Sequence, residues 1–141
     1  MSDPINLVFF FAAILVVAAL VFLAISITQK KPILLDKESY QTRWLAIEQT
    51  LNKDVPATFS TTIMDSDKLL DRALSELGVK GNGLGDRLKA SKEKFSSINS
   101  VWHAHKLRNQ IAHQHDFKPS YTQASHALDT FKQALKDIGA I

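Results

Sequence analysis

The sequence predicts an all-α protein: a single N-terminal transmembrane helix followed by an antiparallel bundle of four or five helices. Three observations carry this. Leu7 to Ile25 is apolar without a break or a charge. From Asp36 onward the apolar residues recur at spacings of three and four, which marks one face of an α-helix. No stretch sustains the strict alternation of a half-buried strand. With 141 residues, the chain has room for one domain of ordinary size besides the apolar segment.

Residues 1–4 read as a short tail and residues 5–27 as the transmembrane helix. As a helix, the uncharged run spans roughly 29 Å, close to the hydrocarbon thickness of a bilayer. A helix apolar on every side needs lipid or protein around it, and the remaining chain is too small to wrap it. A cleaved signal peptide is the competing reading, with a small-residue site at Ala24-Ile25-Ser26. The segment before the run has no Lys or Arg and carries Asp3, and the run exceeds a usual signal core. Lys30 and Lys31 follow directly, and flanking positive charge favours the cytoplasmic side. The expected topology is single-pass, with the C-terminal domain in the cytoplasm. Residues 28–35 form a juxtamembrane linker, where Pro32 discourages continuation of the span.

Residues 36–141 form the helical domain. Asp36 is a candidate N-cap for a first helix whose face is Tyr40, Trp44, Ile47 and Leu51. Asp54-Val55-Pro56 breaks it. Phe59, Ile63, Leu70, Ala73, Leu74 and Leu77 mark a second helix, which absorbs the β-branched stretch ATFSTTIM; Gly78 is its natural stop. The turn-rich KGNGLGD leads to a short third helix carrying Leu84, Leu88 and the aliphatic stem of Lys92. FSSINS reads as a kink or loop. A fourth helix runs from Ile98 to about Gln114. Ser120 caps a fifth, with Tyr121, Ala124, Leu128, Phe131, Leu135 and Ile138 on one face.

Composition narrows the chemistry. There is no cysteine, so disulfides and thiolate zinc sites are excluded. Residues 36–76 hold five Lys/Arg against eight Asp/Glu, a balance of −3, whereas residues 78–118 hold eight against three, a balance of +5. The basic half also contains four of the five histidines. Positive charge there suits a polyanion, although a lysine cluster alone reads more readily as a solvated helix face. His103/His105 and His113/His115 stand two apart, so on a helix each pair points about 200° apart and does not chelate a metal from one face. No metal or other cofactor is expected. GNGLGD lacks the preceding strand and following Gly-Lys-Ser/Thr of a phosphate loop. Trp44 and Trp102 are candidate core or interface anchors.

The stretch AHKLRNQIAH, residues 104–113, holds the candidate site: Arg108, Asn109 and His113. On a regular helix Ala104, Leu107 and Ile111 face the core, and His105, Asn109 and His113 follow at four-residue steps along another side. Arg108 lies about 140° round from His113, so convergence needs the long arginine side chain or a second copy across a symmetric interface. A histidine exchanges protons near neutrality and an arginine offers a forked, permanent charge to phosphate. RNA carries a 2′-hydroxyl beside each phosphodiester, and deprotonating it while stabilising the phosphorane cleaves the strand without a metal. The plain structural reading pairs Arg108 with Asp116 or a helix-end carbonyl and leaves His113 to interact with the helix dipole.

This stretch resembles the signature of HEPN domains (higher eukaryotes and prokaryotes nucleotide-binding), small all-α bundles whose motif is an arginine, a polar residue and a histidine a few positions on. Arg108, Asn109 and His113 match it, and the resemblance extends over about residues 36–141, with LGDRL opening the third helix and an amphipathic helix closing the chain. The resemblance implies a metal-independent endoribonuclease acting as a homodimer with both motifs in one cleft. His113 is then the general base or acid, Arg108 the phosphate and transition-state clamp, and Asn109 an orienting group for His113 or a phosphate ligand. Other members are non-catalytic, which gives the alternative of a membrane-tethered helical interaction module with a protein partner. The membrane anchor is not part of the usual family pattern.

Overall fold

The apolar N-terminal run folds as one continuous helix, α1 (Pro4–Thr28), one residue longer at each end than the sequence predicts. Its 25 residues extend about 38 Å at the α-helical rise. Its first and last turns carry no charge, and its side chains from Pro4 to Ile27 are exposed. The helix is long and apolar enough to cross a membrane. The computed structural model describes residues 4–28 and 33–141. The first three residues of the tail and residues 29–32 of the expected linker, including Lys30 and Lys31, lie outside the described residues. The chain forms two compact units, residues 1–32 and 33–141.

The second unit is a bundle of α2 (Lys37–Thr50), α3 (Ala57–Glu76), α4 (Leu84–Ala90), α5 (Ile98–His113) and α6 (Tyr121–Asp137), with a 3-10 turn at Lys92–Lys94 and no strand among the described residues. The predicted punctuation does its work. The Asp36 carboxylate accepts from the Ser39 N–H at 3.1 Å and starts α2. Gly78, at φ 77°, ends α3 in a left-handed residue, and the Val79 and Gly78 N–H groups donate back to Leu74 and Ser75 carbonyls. Ser120 and Gln123 form a reciprocal capping box at the start of α6. Replacing Ser120 with alanine removes one of the two cap bonds and is expected to cost about 1 kcal/mol, read as a lower denaturant midpoint at unchanged slope.

The long helix α3 is the spine, packing against α2, α4, α5 and α6. Ile63, Leu70 and Leu74 of α3, Leu88 of α4, and Phe131 and Leu135 of α6 are all fully buried. Tyr40 and Trp44 close this core from α2, Val101 and Ala104 from α5. Three details differ from the periodicity. Lys92 is exposed in the 3-10 turn, because α4 ends at Ala90 and the buried Ser91 hydroxyl donates to the Arg87 carbonyl at 2.7 Å. Phe95, in the segment predicted as loop, instead plugs the core. Tyr121, at the first turn of α6, stays exposed and meets Phe59 edge-on at 5.7 Å.

Polar ties lock the helices in register. Lys132 of α6 reaches Glu48 of α2 at 2.6 Å, and Arg87 of α4 reaches Asp71 of α3 at 2.6 Å. At the end of α6, the Asp137 carboxylate accepts from the Ser96 backbone N–H at 2.8 Å, the Ser96 hydroxyl at 2.7 Å and the Gln133 amide at 2.8 Å. Burial alone raises this carboxyl, but the three donors outweigh it and hold it below the ordinary aspartate range. A depressed carboxylate contributes stability above its unfolded pKa and loses it as pH falls through the folded value. Wild type should therefore be more stable than Asp137→Asn at neutral pH, and acid titration below about pH 4 should erase the difference.

Candidate functional site

The site begins with a charge in an apolar register. In α3, Ile63, Asp67, Leu70 and Leu74 follow one another at spacings of four, three and four, so Asp67 occupies a position where a core residue belongs. Its side chain is 5% exposed. A buried carboxylate is tolerated only when hydrogen-bonded and paired, and both partners come from α5. His105 Nδ1 lies 2.7 Å from Asp67 Oδ1, and Arg108 Nε lies 3.5 Å from Asp67 Oδ2.

The bonds continue into a closed ring. Arg108 Nη1 donates to Asn109 Oδ1 at 3.1 Å, and the Asn109 amide nitrogen faces His105 Nε2 at 3.3 Å. An amide NH2 group only donates, so Nε2 accepts and the imidazole proton sits on Nδ1, where it is donated to Asp67. Asp67, His105, Asn109 and Arg108 thus form a circuit in which each of the three hydrogen bonds pairs a donor with an acceptor. The fourth link, from Arg108 Nε back to Asp67, is an ion pair longer than a hydrogen bond, and that buried Nε has no hydrogen-bond partner.

Other elements press on the imidazole. Trp102, one turn earlier on α5, meets it edge-on with centroids 5.9 Å apart. Helix α4 approaches through Gly85, where an added Cβ would stand 3.4 Å from His105 Nε2 and 3.7 Å from the Trp102 ring. Trp102 is thus half-buried against this site within one chain. Beside the ring lies an open hollow of about 630 Å³, between α3, the loop before α4, and α5. Asp65, Lys68 and Asn82 line it together with Asp67, His105 and Arg108.

The three residues predicted from sequence are therefore placed unequally. Arg108 is a third exposed and lines the hollow. It pairs with Asp67 rather than with Asp116 or a helix-end carbonyl. Asn109 is half-buried and bonded to His105 and Arg108, so it does not orient His113. His113 is the exposed last residue of α5; no side-chain hydrogen bond or ion pair joins it to Arg108 or Asn109, and it does not line the hollow. One chain brings Arg108 and Asn109 together and leaves His113 on the surface nearby, as the 140° offset requires.

Asp67 and His105 were not among the sequence candidates. The signal for Asp67 was available: a carboxylate on the apolar stripe of α3 demands a buried partner. His105 stands four residues after the buried Val101 and four before Asn109, so it faces both the core and the motif. No group of three or more His, Cys, Asp or Glu is placed to hold a metal among the described residues. Comparison of the chain with protein-family models, with curated proteins and with solved structures returned no match.

Proposed function

We propose that the chain is a membrane-anchored, HEPN-like endoribonuclease that works without a metal on cytoplasmic RNA, as a homodimer. The observation that carries this is the contrast between Arg108 and His113. Arg108 has Nε and Nη1 turned to its own protein, while Nη2, with no partner among the described residues, remains to meet a phosphate at the hollow. His113 is exposed, and its side chain makes no hydrogen bond or ion pair among the described residues. His105 also lines the hollow, but both its nitrogens are bonded within the ring, so His113 is the better proton carrier.

In this mechanism His113 takes the proton of a 2′-hydroxyl, and the 2′-oxygen attacks the adjacent phosphorus. Arg108 stabilises the charge that builds on the phosphorane oxygens. The P–O5′ bond breaks, leaving a 2′,3′-cyclic phosphate and a 5′-hydroxyl that takes up a proton. The angular offset of Arg108 and His113 is met by a second copy, each chain lending a histidine to a cleft that holds the other's arginine.

The test is an RNA-cleavage assay with the full chain in detergent micelles and excess chelator. Cleavage should yield cyclic-phosphate ends and stop when a single 2′-deoxy nucleotide replaces the nucleotide at the cut. It should be lost in Arg108→Ala. Intact RNA with wild-type protein, together with a protein that binds the bundle specifically, favours the non-catalytic interaction module instead.

A further inference from the structure

Arginine side chains have four rotatable bonds and do not hold a fixed aim unless something holds them. The four-membered ring on α3 and α5 does this. Asp67 is buried in the core stripe. It fixes the imidazole of His105 through a 2.7 Å bond, and the imidazole is wedged further by Trp102 and by the close approach of α4 at Gly85. With Nδ1 tied to Asp67, His105 Nε2 is an acceptor of fixed position, and this selects the orientation of the Asn109 amide. The oriented amide in turn turns its oxygen to Arg108 Nη1, at 3.1 Å.

We propose that Asp67 and His105 are positioning residues for Arg108. They act through the Asn109 amide and set the guanidinium so that Nη2 is presented at the hollow to an anionic phosphate oxygen. The phosphate rests on the ribonuclease reading; the alignment of Arg108 does not. The ring also gives Asn109 a role different from that of a phosphate ligand: it relays the orientation of a buried acid to the surface cation.

Two isosteric replacements separate this from a merely structural role. His105→Gln can place an amide oxygen near Nε2, and so keeps an acceptor for Asn109. His105→Phe keeps the ring's bulk and removes both nitrogens. In the full chain labelled with 15N-arginine in detergent micelles, the Nε–H signal of Arg108, assigned through Arg108→Lys, reports the guanidinium directly. It should be resolved and slow to exchange with water in wild type, retained in His105→Gln, and shifted to the position and fast water exchange of free arginine in His105→Phe. Should His105→Phe not fold, Asn109→Ala opens the ring at its other joint while leaving the Asp67–His105 pair whole, and should release the same signal.

A signal unmoved by Asn109→Ala or by a folded His105→Phe overturns the proposal. So does a folded His105→Gln that releases the signal as fully as the phenylalanine does. RNA cleavage is read in parallel: kcat should follow the Arg108 signal across the series. Retention in His105→Gln and collapse in the opened ring, with no cleavage by any form including wild type, upholds the positioning and removes the nuclease.

Discussion

Replacing His113 with alanine is expected to lower the rate of RNA cleavage by about 10²–10⁴-fold, the usual contribution of a positioned general acid or base, with the thermal midpoint almost unmoved. The two halves of this expectation have separate causes. His113 ends α5, is exposed, and its side chain makes no hydrogen bond or ion pair among the described residues, so removing it opens no cavity and strands no polar group. Its interaction with the negative end of the helix dipole stabilises by about 0.3–1 kcal/mol at most, and only when it is protonated. The kinetic loss follows because the imidazole tied to the Arg108 ring cannot replace it: His105 is committed at both nitrogens. The assay pairs initial rates with a melting curve. Full activity in His113→Ala, with the fold intact, removes His113 from the mechanism.

Asp67→Ala should behave in the opposite way, with a loss of about 3–5 kcal/mol in unfolding free energy, most of a small domain's stability. The substitution deletes a 2.7 Å bond to His105 and the counter-charge of Arg108, leaving the largely buried His105 Nδ1 without its acceptor and the guanidinium without its carboxylate. It also removes packing from the stripe between the fully buried Ile63 and Leu70. Asp67→Asn fills the same space and can still accept from Nδ1, so it should cost less than the alanine. Denaturant unfolding of the full chain in micelles measures both. If Asp67→Ala proves as stable as wild type, the ring is a decoration on the surface of α5 rather than its attachment to α3.

Most of the bundle could be read directly from spacing. Each predicted helix is present, because a three-to-four periodicity has one interpretation once Asp36, Gly78 and Ser120 set the ends. The local exceptions arose where tertiary packing outweighed pattern. Phe95 lies in a serine-rich stretch that reads as loop, yet the bundle needs a plug there. Tyr121 continues the stripe of α6 but falls in its first turn, beyond the edge of the core. Part of the site was legible too. Arg108 and Asn109 do meet, since adjacent residues with long and short polar side chains reach each other easily. Asp67 stands thirty-eight positions before His105, and nothing in helical spacing joins two helices across a core. What was readable in advance was only that a buried carboxylate on α3 had to find a partner.

Helix α1 has a consequence for how copies meet. A rod about 38 Å long, bearing only apolar side chains from Leu7 to Ile25, confines its bundle to a plane once it is lodged in a bilayer. Encounters then take place in a thin sheet, at an effective concentration set by the reach of the tether rather than by dilution in the cell. For the proposed homodimer, an association between bundles too weak to detect for a detached domain would suffice there, so cutting off the rod should alter the odds of pairing as well as the address.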